Sequence, residues 1–228
     1  MIGIIGAMEE ELAQLLERLE QAETLLRGPF RLHKGQLVKQ SVMVAQCGIS
    51  KVNAAALTQI MITEGVTKII FTGVAGGLDE RLKVGDIVIS SDCMQFDVDV
   101  TALGYKLGEV PGEPLSWQAD ADLKALALEA AKVLPVQVIE GRIISGDQFI
   151  ADPVRAKYLR ETFRAACNEM EGAAVAQICA KWQRPFVIIR SISDTADHSA
   201  ELDFRAFTVV AANRAKELVL AMLSLMDN

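Results

Sequence analysis

The segment Val187-Ile-Ile-Arg-Ser-Ile-Ser-Asp194 constrains the fold of this chain more than any other. An apolar run rich in β-branched residues, following Pro185, predicts a buried strand in a sheet that is covered on both faces. Because unpaired charges are costly to bury, we expect Arg190 and Asp194 to lie in a loop at the strand end. Ligands of open α/β sheets bind outside the carboxyl ends of the strands. Asp194 is therefore the first candidate for a catalytic acid.

Strand and helix patterns alternate along the chain. Short apolar runs predict strands at residues 2–5, 42–45, 68–72, 86–90, 136–144 and 187–189. Helical spacing and start signals predict helices at residues 12–19, 50–64, 122–134, 153 onward, 171–182 and 204–225. We expect Ser50 to cap the second helix and the glycines of segment 73–77 to form a turn. The alternation predicts one α/β domain over residues 1–228 with a mostly parallel central sheet.

Composition and charge exclude several classes of protein. Hydrophobic residues make up 51% of the 228 residues, which suits a large core, and the formal net charge of −7 argues against nucleic acid or an anionic membrane as the partner. No apolar run approaches the ~20 residues that cross a bilayer, and Glu9 to Glu11 do not suit a signal peptide. We expect a cytoplasmic protein. The chain has two histidines, His33 and His198, and no closely spaced pair of cysteines, so we do not expect a metal site. We expect the four cysteines to be buried thiols in a reducing compartment.

Five segments contain residues that suit chemistry, each with a plainer alternative. Glu9 to Glu11 follow a strand and a glycine, but acidic residues also favour any helix N-terminus. The glycines of segment 73–77 let a ligand approach the backbone, yet no basic neighbour suggests a phosphate cradle. Phe149 suits either base stacking or the core. One of Glu169 and Glu171, which point oppositely if this part is extended, suits a vicinal diol, or both begin a solvated helix. Arg190 and Asp194 are either functional or a structural ion pair.

Taken together, seven motifs resemble the bacterial 5′-methylthioadenosine/S-adenosylhomocysteine nucleosidases of the purine nucleoside phosphorylase superfamily. They are GIIGAMEEE, TGVAGGL, KVGDIV, DVTALGY, SGDQFI, EMEGAA and RSISD, in this order along essentially the whole chain. The resemblance implies a single α/β domain with a mixed, partly barrel-like sheet flanked by helices. It also implies a homodimer that uses no cofactor and no metal, and a small nucleoside as the substrate.

The resemblance also implies roles for individual residues. Glu11 would position and deprotonate the attacking water, Asp194 would protonate N7 of adenine, and Glu171 would hold the ribose hydroxyls. Arg190 would orient the acidic cluster, and Ser193 would orient Asp194. The other residues that the resemblance places in the substrate pocket are Met8, Ile49, Val74, Ala75, Gly76, Val100, Phe149, Ile150, Met170 and Phe204. Leu103 and Pro111, in the long irregular stretch 97–118, would reach into the active site of the partner subunit.

Two departures from the family pattern and three alternatives stay open. Val74 stands where relatives often carry Ser, and Leu103 stands where an aromatic residue is common. A phosphate-dependent phosphorylase of the same superfamily would need basic residues near the glycines. A hydrolase with the same site could also act on aminodeoxyfutalosine or 5′-deoxyadenosine. A non-catalytic adenosine-binding module would not need the set formed by Glu11, Glu171 and Asp194.

Overall fold

The computed structural model describes residues 1–196 and 200–226, except for the side chains of residues 202 and 203. His198 lies outside the described residues. The strands are β1 (Ile2–Gly6), β2 (Glu20–Arg27), β3 (Phe30–Leu37), β4 (Gln40–Gln46), β5 (Lys68–Gly77), β6 (Ile87–Gln95), β7 (Trp117–Gln118), β8 (Val138–Ser145), β9 (Ala165–Glu169) and β10 (Phe186–Asp194). The helices are α1 (Glu9–Glu17), α2 (Lys51–Thr63), α3 (Ala121–Ala131), α4 (Pro153–Phe163), α5 (Gly172–Lys181) and α6 (Ala200–Leu225).

Five of the strands close into a barrel. β10 pairs with β6, β6 with β8, β8 with β9, β9 with β5, and β5 again with β10. The sheet then extends from β5 through β1, β4, β3 and β2. Parallel and antiparallel pairs both occur, so the sheet is mixed. The expectation of a mixed, partly barrel-like sheet is confirmed, and the expectation of a mostly parallel sheet was wrong.

Helices cover the sheet on two sides. α1, α3 and α6 pack together on one side over Ile4, Ile70, Val187 and Ile189. α2 and α5 pack together on the other side, over a core that includes Phe71. No helix among the described residues combines the length and hydropathy that a bilayer crossing requires.

The sequence patterns did not predict the hairpin formed by β2 and β3. Nearly every residue of β2 is exposed, and its sequence EQAETLLR shows no apolar alternation. Gly28, at φ 59°, allows the tight reversal between the two strands. A polar strand at the edge of a sheet is stabilised by its backbone hydrogen bonds to a neighbour, which side-chain periodicity does not indicate.

Three local predictions were wrong. Segment 73–77 is not a turn but the second half of β5. Arg190 and Asp194 do not lie in a loop, because β10 runs through Asp194 and each of its nine residues is buried. The Ser50 side chain makes no cap hydrogen bond, and the backbone N–H of Ser50 is instead directed to the carboxylate of Glu171. In each case a contact from a distant part of the chain outweighed a local preference.

Candidate active site

A cavity of about 320 Å³ opens at or just beyond the C-terminal ends of β1, β5, β9 and β10. Its lining is mostly apolar and includes four carboxylates. The residues that line it are Ala7, Met8, Glu11, Ile49, Val74, Ala75, Gly76, Gln148, Phe149, Ile150, Asn168, Glu169, Met170, Glu171, Ser193, Asp194 and Phe204. The structure thus brings together thirteen of the residues predicted for the site.

Glu11 is held by three backbone N–H groups. Its Oε2 accepts hydrogen bonds from Ala7 at 2.6 Å and Met8 at 3.0 Å, and its Oε1 accepts one from Val74 at 2.9 Å. A Glu at the third position of a helix commonly reaches back to the backbone that precedes the helix, which explains why this Glu of the three is buried. Burial raises the pKa of Glu11, against the charge of Arg190 and the three hydrogen bonds. A carboxylate with a raised pKa is a better general base near neutral pH.

Gly73 makes room for this arrangement. A Cβ at this position would collide with Nη1 of Arg190 and Oε1 of Glu11. The contact that Glu11 makes at residue 74 uses the backbone N–H, so the presence of Val at this position leaves it intact. The Val74 side chain instead packs with Met8, Phe204 and α6.

Arg190 lies behind the pocket as a fully buried cation and is not part of its lining. Its guanidinium pairs with Glu169, lies 3.8 Å from Oε2 of Glu171, and stacks 4.0 Å from the ring centre of Phe71. Both carboxylates and Glu11 raise the pKa of Arg190 against the effect of burial. One buried positive charge therefore serves several carboxylates, which explains how so many acidic groups can share one apolar site.

Glu169 and Glu171 are both buried, so neither begins a solvated helix. Glu169 accepts hydrogen bonds from the Ser145 hydroxyl, from Arg190, and from the backbone N–H groups of Glu171 at 3.1 Å and Gly172 at 2.7 Å. It therefore anchors the start of α5. Glu171 lines the pocket, and its Oε1 accepts a hydrogen bond from the Ser50 N–H at 2.8 Å. Burial raises the pKa of Glu171 to about 8, and the charge of Glu169 adds to the rise.

Asp194 is buried at the end of β10. Its Oδ2 accepts a hydrogen bond from the Ser193 hydroxyl at 2.8 Å, and its Oδ1 accepts one from the Ala196 N–H at 2.9 Å. Register pairing places Asp194 opposite Gly76 of β5. The Glu11 carboxylate is bonded at Val74 of the same strand, so the two carboxylates meet β5 two residues, or roughly 7 Å, apart.

Two aromatic rings form the apolar wall. Phe149 is half exposed, so it is not part of the core, and its ring packs edge to face with Phe204 at 5.6 Å between centres. Flat ligands are well suited to such a wall, because aromatic faces and edges both contribute to stacking.

A polar network holds the loop that carries Phe149 and Ile150. Lys51 Nζ pairs with Asp97 at 2.5 Å and bonds Gln95 at 3.0 Å. Asp97 accepts from the Asp147 N–H, and the Asp147 side chain accepts from the Lys51 N–H, each at 3.0 Å. The loop is thereby tied to the start of α2 and the end of β6.

Besides Arg190, three residues that the resemblance places in the site lie outside the lining of the single chain. They are Val100, Leu103 and Pro111, and Leu103 is 73% exposed. Asn168, Ala7 and Gln148 also line the cavity and were not predicted, and Glu169 lines it although it was only the alternative to Glu171 as the residue that binds a diol. The signal for Asn168 and Glu169 was their position in the segment Asn168-Glu-Met-Glu171, where a strand ends at a helix start. Among the described residues, no group of three or more His, Cys, Asp or Glu side chains is arranged to hold a metal ion.

The sequence and the structure of this chain are similar to those of known proteins of one family. The model of the phosphorylase superfamily matches residues 1–224. The 5′-methylthioadenosine/S-adenosylhomocysteine nucleosidase of Shewanella denitrificans is 44% identical, over 98% of each chain. The nucleosidase of the same name from Neisseria meningitidis, solved with methylthio-immucillin-A, superposes with a TM-score of 0.96 at 38% identity, over 99% of each chain. The futalosine hydrolase of Helicobacter pylori superposes with a TM-score of 0.95 at 37% identity, over 99% of this chain and 97% of that one. The chain therefore belongs to the phosphorylase superfamily and, within it, to the 5′-methylthioadenosine/S-adenosylhomocysteine nucleosidases.

Proposed function

We propose that the protein hydrolyses the N-glycosidic bond of 5′-methylthioadenosine and S-adenosylhomocysteine, releasing adenine and the 5′-thioribose. The supporting observation is a mostly apolar pocket in which Glu11 and Asp194 approach β5 from two points roughly 7 Å apart. In this arrangement the ribosyl group would lie between Glu11, the proposed general base, and Asp194, the proposed general acid. The names of the relatives in the family agree with this chemistry.

In the proposed mechanism, Asp194 gives a proton to N7 of adenine while the bond between the base and the sugar breaks. Adenine is a poor leaving group as an anion, so this proton lowers the barrier. The sugar develops oxocarbenium character, as in the hydrolysis of O-glycosides. Glu11 takes a proton from the water that attacks the opposite face of the sugar. Each of these acid–base steps typically contributes on the order of 10²–10⁴-fold.

The remaining groups bind and orient the substrate. Glu171 accepts hydrogen bonds from the ribose hydroxyls, and Met170 packs against the sugar. Phe149 stacks on adenine, and the backbone of Ile150 contacts its Watson–Crick edge. Ser193 orients Asp194 through its 2.8 Å hydrogen bond. Arg190 keeps the carboxylates in place from behind the pocket.

The charge of the pocket disfavours a phosphorylase. None of the described residues that line the cavity is Lys or Arg, and Arg190 is fully buried against Glu169. A phosphate dianion would meet four carboxylates, and the cation behind them, Arg190, is already shared by Glu169 and Glu171, so its binding is unfavourable in this apolar site. Water carries no charge and does not meet this barrier.

A second substrate class is supported by one comparison. The similarity to the futalosine hydrolase of Helicobacter pylori is nearly as extensive as that to the nucleosidase of Neisseria meningitidis. We therefore include aminodeoxyfutalosine, and 5′-deoxyadenosine, among the substrates to be assayed.

The active unit that we propose is a homodimer in the cytoplasm. The exposed side chain of Leu103 and the exposed Pro111 belong to the irregular stretch that, by resemblance to the family, reaches the neighbouring subunit. A mass measurement in solution tests this. A monomer with full activity would contradict the dimer.

The deciding experiment is adenine release from 5′-methylthioadenosine, with and without inorganic phosphate, with identification of the sugar product. Phosphate-independent release of free methylthioribose is expected. Release only with phosphate, as the sugar 1-phosphate, would identify a phosphorylase. Adenosine binding without any release would identify a non-catalytic module.

A further inference from the structure

Asn168 is a buried amide in the wall of the pocket. It lies in β9, and its side chain is among the few uncharged polar groups of the lining. Register pairs Asn168 with Gly76 of β5, and Gly76 in turn with Asp194 of β10. Residues that are paired in register point to the same face of a sheet, so Asn168 and Asp194 flank Gly76 on the pocket side.

The missing side chain of Gly76 lets the two polar groups converge. A Cβ at Gly76 would lie 3.0 Å from Oδ1 of Asp194 and 3.1 Å from Oδ1 of Asn168. Both oxygens are therefore directed over the same point of the pocket floor. The proposed acid thus has a neutral hydrogen-bonding group beside it.

Oδ1 of Asn168 has no hydrogen-bond partner among residues 1–196 and 200–226. Buried polar atoms are paired in the great majority of cases, because leaving one unpaired is costly. Asn168 lines the cavity, and the residue is only 5% exposed. An acceptor in this position is suited to a donor that arrives with the ligand.

We propose that the side-chain carbonyl of Asn168 accepts a hydrogen bond from the 6-amino group of the bound adenine. The inference rests on the proposed function, in which Asp194 protonates N7. N7 and the 6-amino group are neighbours on the same edge of the purine, so the group beside Asp194 meets the amino group. Asn and Gln are the side chains that pair with this edge of adenine in nucleic-acid recognition. Asn168 is thus a base-contacting residue that makes the pocket selective for 6-aminopurines.

The test removes each partner of the hydrogen bond in turn. Asn168→Leu keeps the approximate shape of the side chain and removes its polar atoms. The substrates are 5′-methylthioadenosine and its analogue that lacks the 6-amino group. We expect the substitution to lower kcat/KM on the order of 10-fold for 5′-methylthioadenosine, and to leave that for the analogue within about 2-fold. Asn213→Leu, on α6 outside the pocket lining, is the matched control.

Equal losses on both substrates would overturn the proposal, because Asn168 would then act through Asp194 or through packing. The proposal would also be overturned if kcat/KM fell for neither substrate. Binding of the free bases adenine and purine, measured by calorimetry, gives a readout without catalysis. Asn168→Leu should weaken adenine on the order of 10-fold and leave purine unchanged. If the unsubstituted protein released no adenine, the proposed function would fail, and the comparison of bases would still decide the role of Asn168.

Discussion

The carboxylate of Glu171 and the backbone N–H of Ser50 are joined by a hydrogen bond of 2.8 Å, although 121 residues separate them in the chain. Ser50 adopts φ 104° and ψ 155°, a region that is essentially restricted to glycine. In this strained conformation the N–H of Ser50 points at Glu171, the residue that we propose to bind the ribose. The entry to α2 and the entry to α5 are thus joined at the pocket.

Replacing Ser50 should relieve this strain. Ser50→Gly is expected to raise the free energy of unfolding by about 1 kcal/mol, since the strain exceeds the entropic cost of glycine. For a chain of this size, the corresponding rise in Tm is about 2–4 °C. Ser50→Ala keeps the strain and serves as the comparison in thermal unfolding. Equal Tm values for the Gly and Ala variants would contradict the prediction.

Glu171 should make the stability of the folded protein depend on pH. Its pKa is about 8 in the folded protein, against an ordinary value of 4.5, so between these values the folded state holds a proton that the unfolded chain has released. The free energy of unfolding therefore falls as the pH rises through this interval, by up to about 1.4 kcal/mol per unit from this one group. The raised pKa of Glu11 contributes with the same sign.

Denaturant unfolding of Glu171→Gln across this interval measures the contribution. The slope of the free energy of unfolding against pH should become shallower than in the unsubstituted protein. Glu10→Gln, which removes an exposed carboxylate, is the control for the loss of one charge. An unchanged slope in Glu171→Gln would show that Glu171 is ionised throughout.

Glu11→Gln should lose turnover without losing the fold. The amide preserves the size of the side chain but cannot accept a proton from water, so kcat is expected to fall on the order of 10²–10⁴-fold. Glu10→Gln, one residue earlier and exposed, should retain full activity. Normal hydrolysis by Glu11→Gln would mean that another group activates the water.

Asp194→Asn tests the proposed acid through the leaving group. Loss of the proton donor should lower adenine release on the order of 10²–10⁴-fold. The comparison substrate carries 4-nitrophenol in place of adenine. Its leaving group departs as the stable 4-nitrophenolate anion and needs no proton, so the rate of its hydrolysis should change much less. Equal losses on both substrates would argue that Asp194 has a role other than proton donation.

The network around Lys51 should act on binding more than on chemistry. Lys51→Met removes the cation that joins Gln95 and Asp97 and loosens the loop that carries Phe149. We expect KM to rise on the order of 10-fold with a smaller change in kcat, since the acidic residues are untouched. Lys124→Met, which breaks the surface pair with Glu140, is the control. A fall in kcat at constant KM would contradict the loop as the affected part.

Sequence reasoning succeeded where a pattern is local. The apolar run at 187–189 and Pro153 at a helix start correspond to β10 and α4. The amphipathic spacing at 12–19 corresponds to α1, which ends at Glu17. It failed for β2, whose exposed residues carry no periodicity. The glycines of segment 73–77 were also wrongly predicted to form a turn. A glycine in the sequence shows only that no side chain is present at that position, and it does not show which groups occupy the space. That space is filled by Arg190 and Glu11, which are distant in the chain.

The sequence by itself determined the α/β class, the set of acidic residues and the family that the motifs indicate. Only the tertiary structure decided which carboxylates share a guanidinium and which backbone N–H groups orient Glu11. It also shows that the side-chain oxygen of Asn168 has no hydrogen-bond partner in the part of the chain that the structure describes. The physical reason is that these properties depend on burial and on distances between strands that barrel closure brings together. Local propensity carries no record of such distances, because they follow from the closure of β5 on β10.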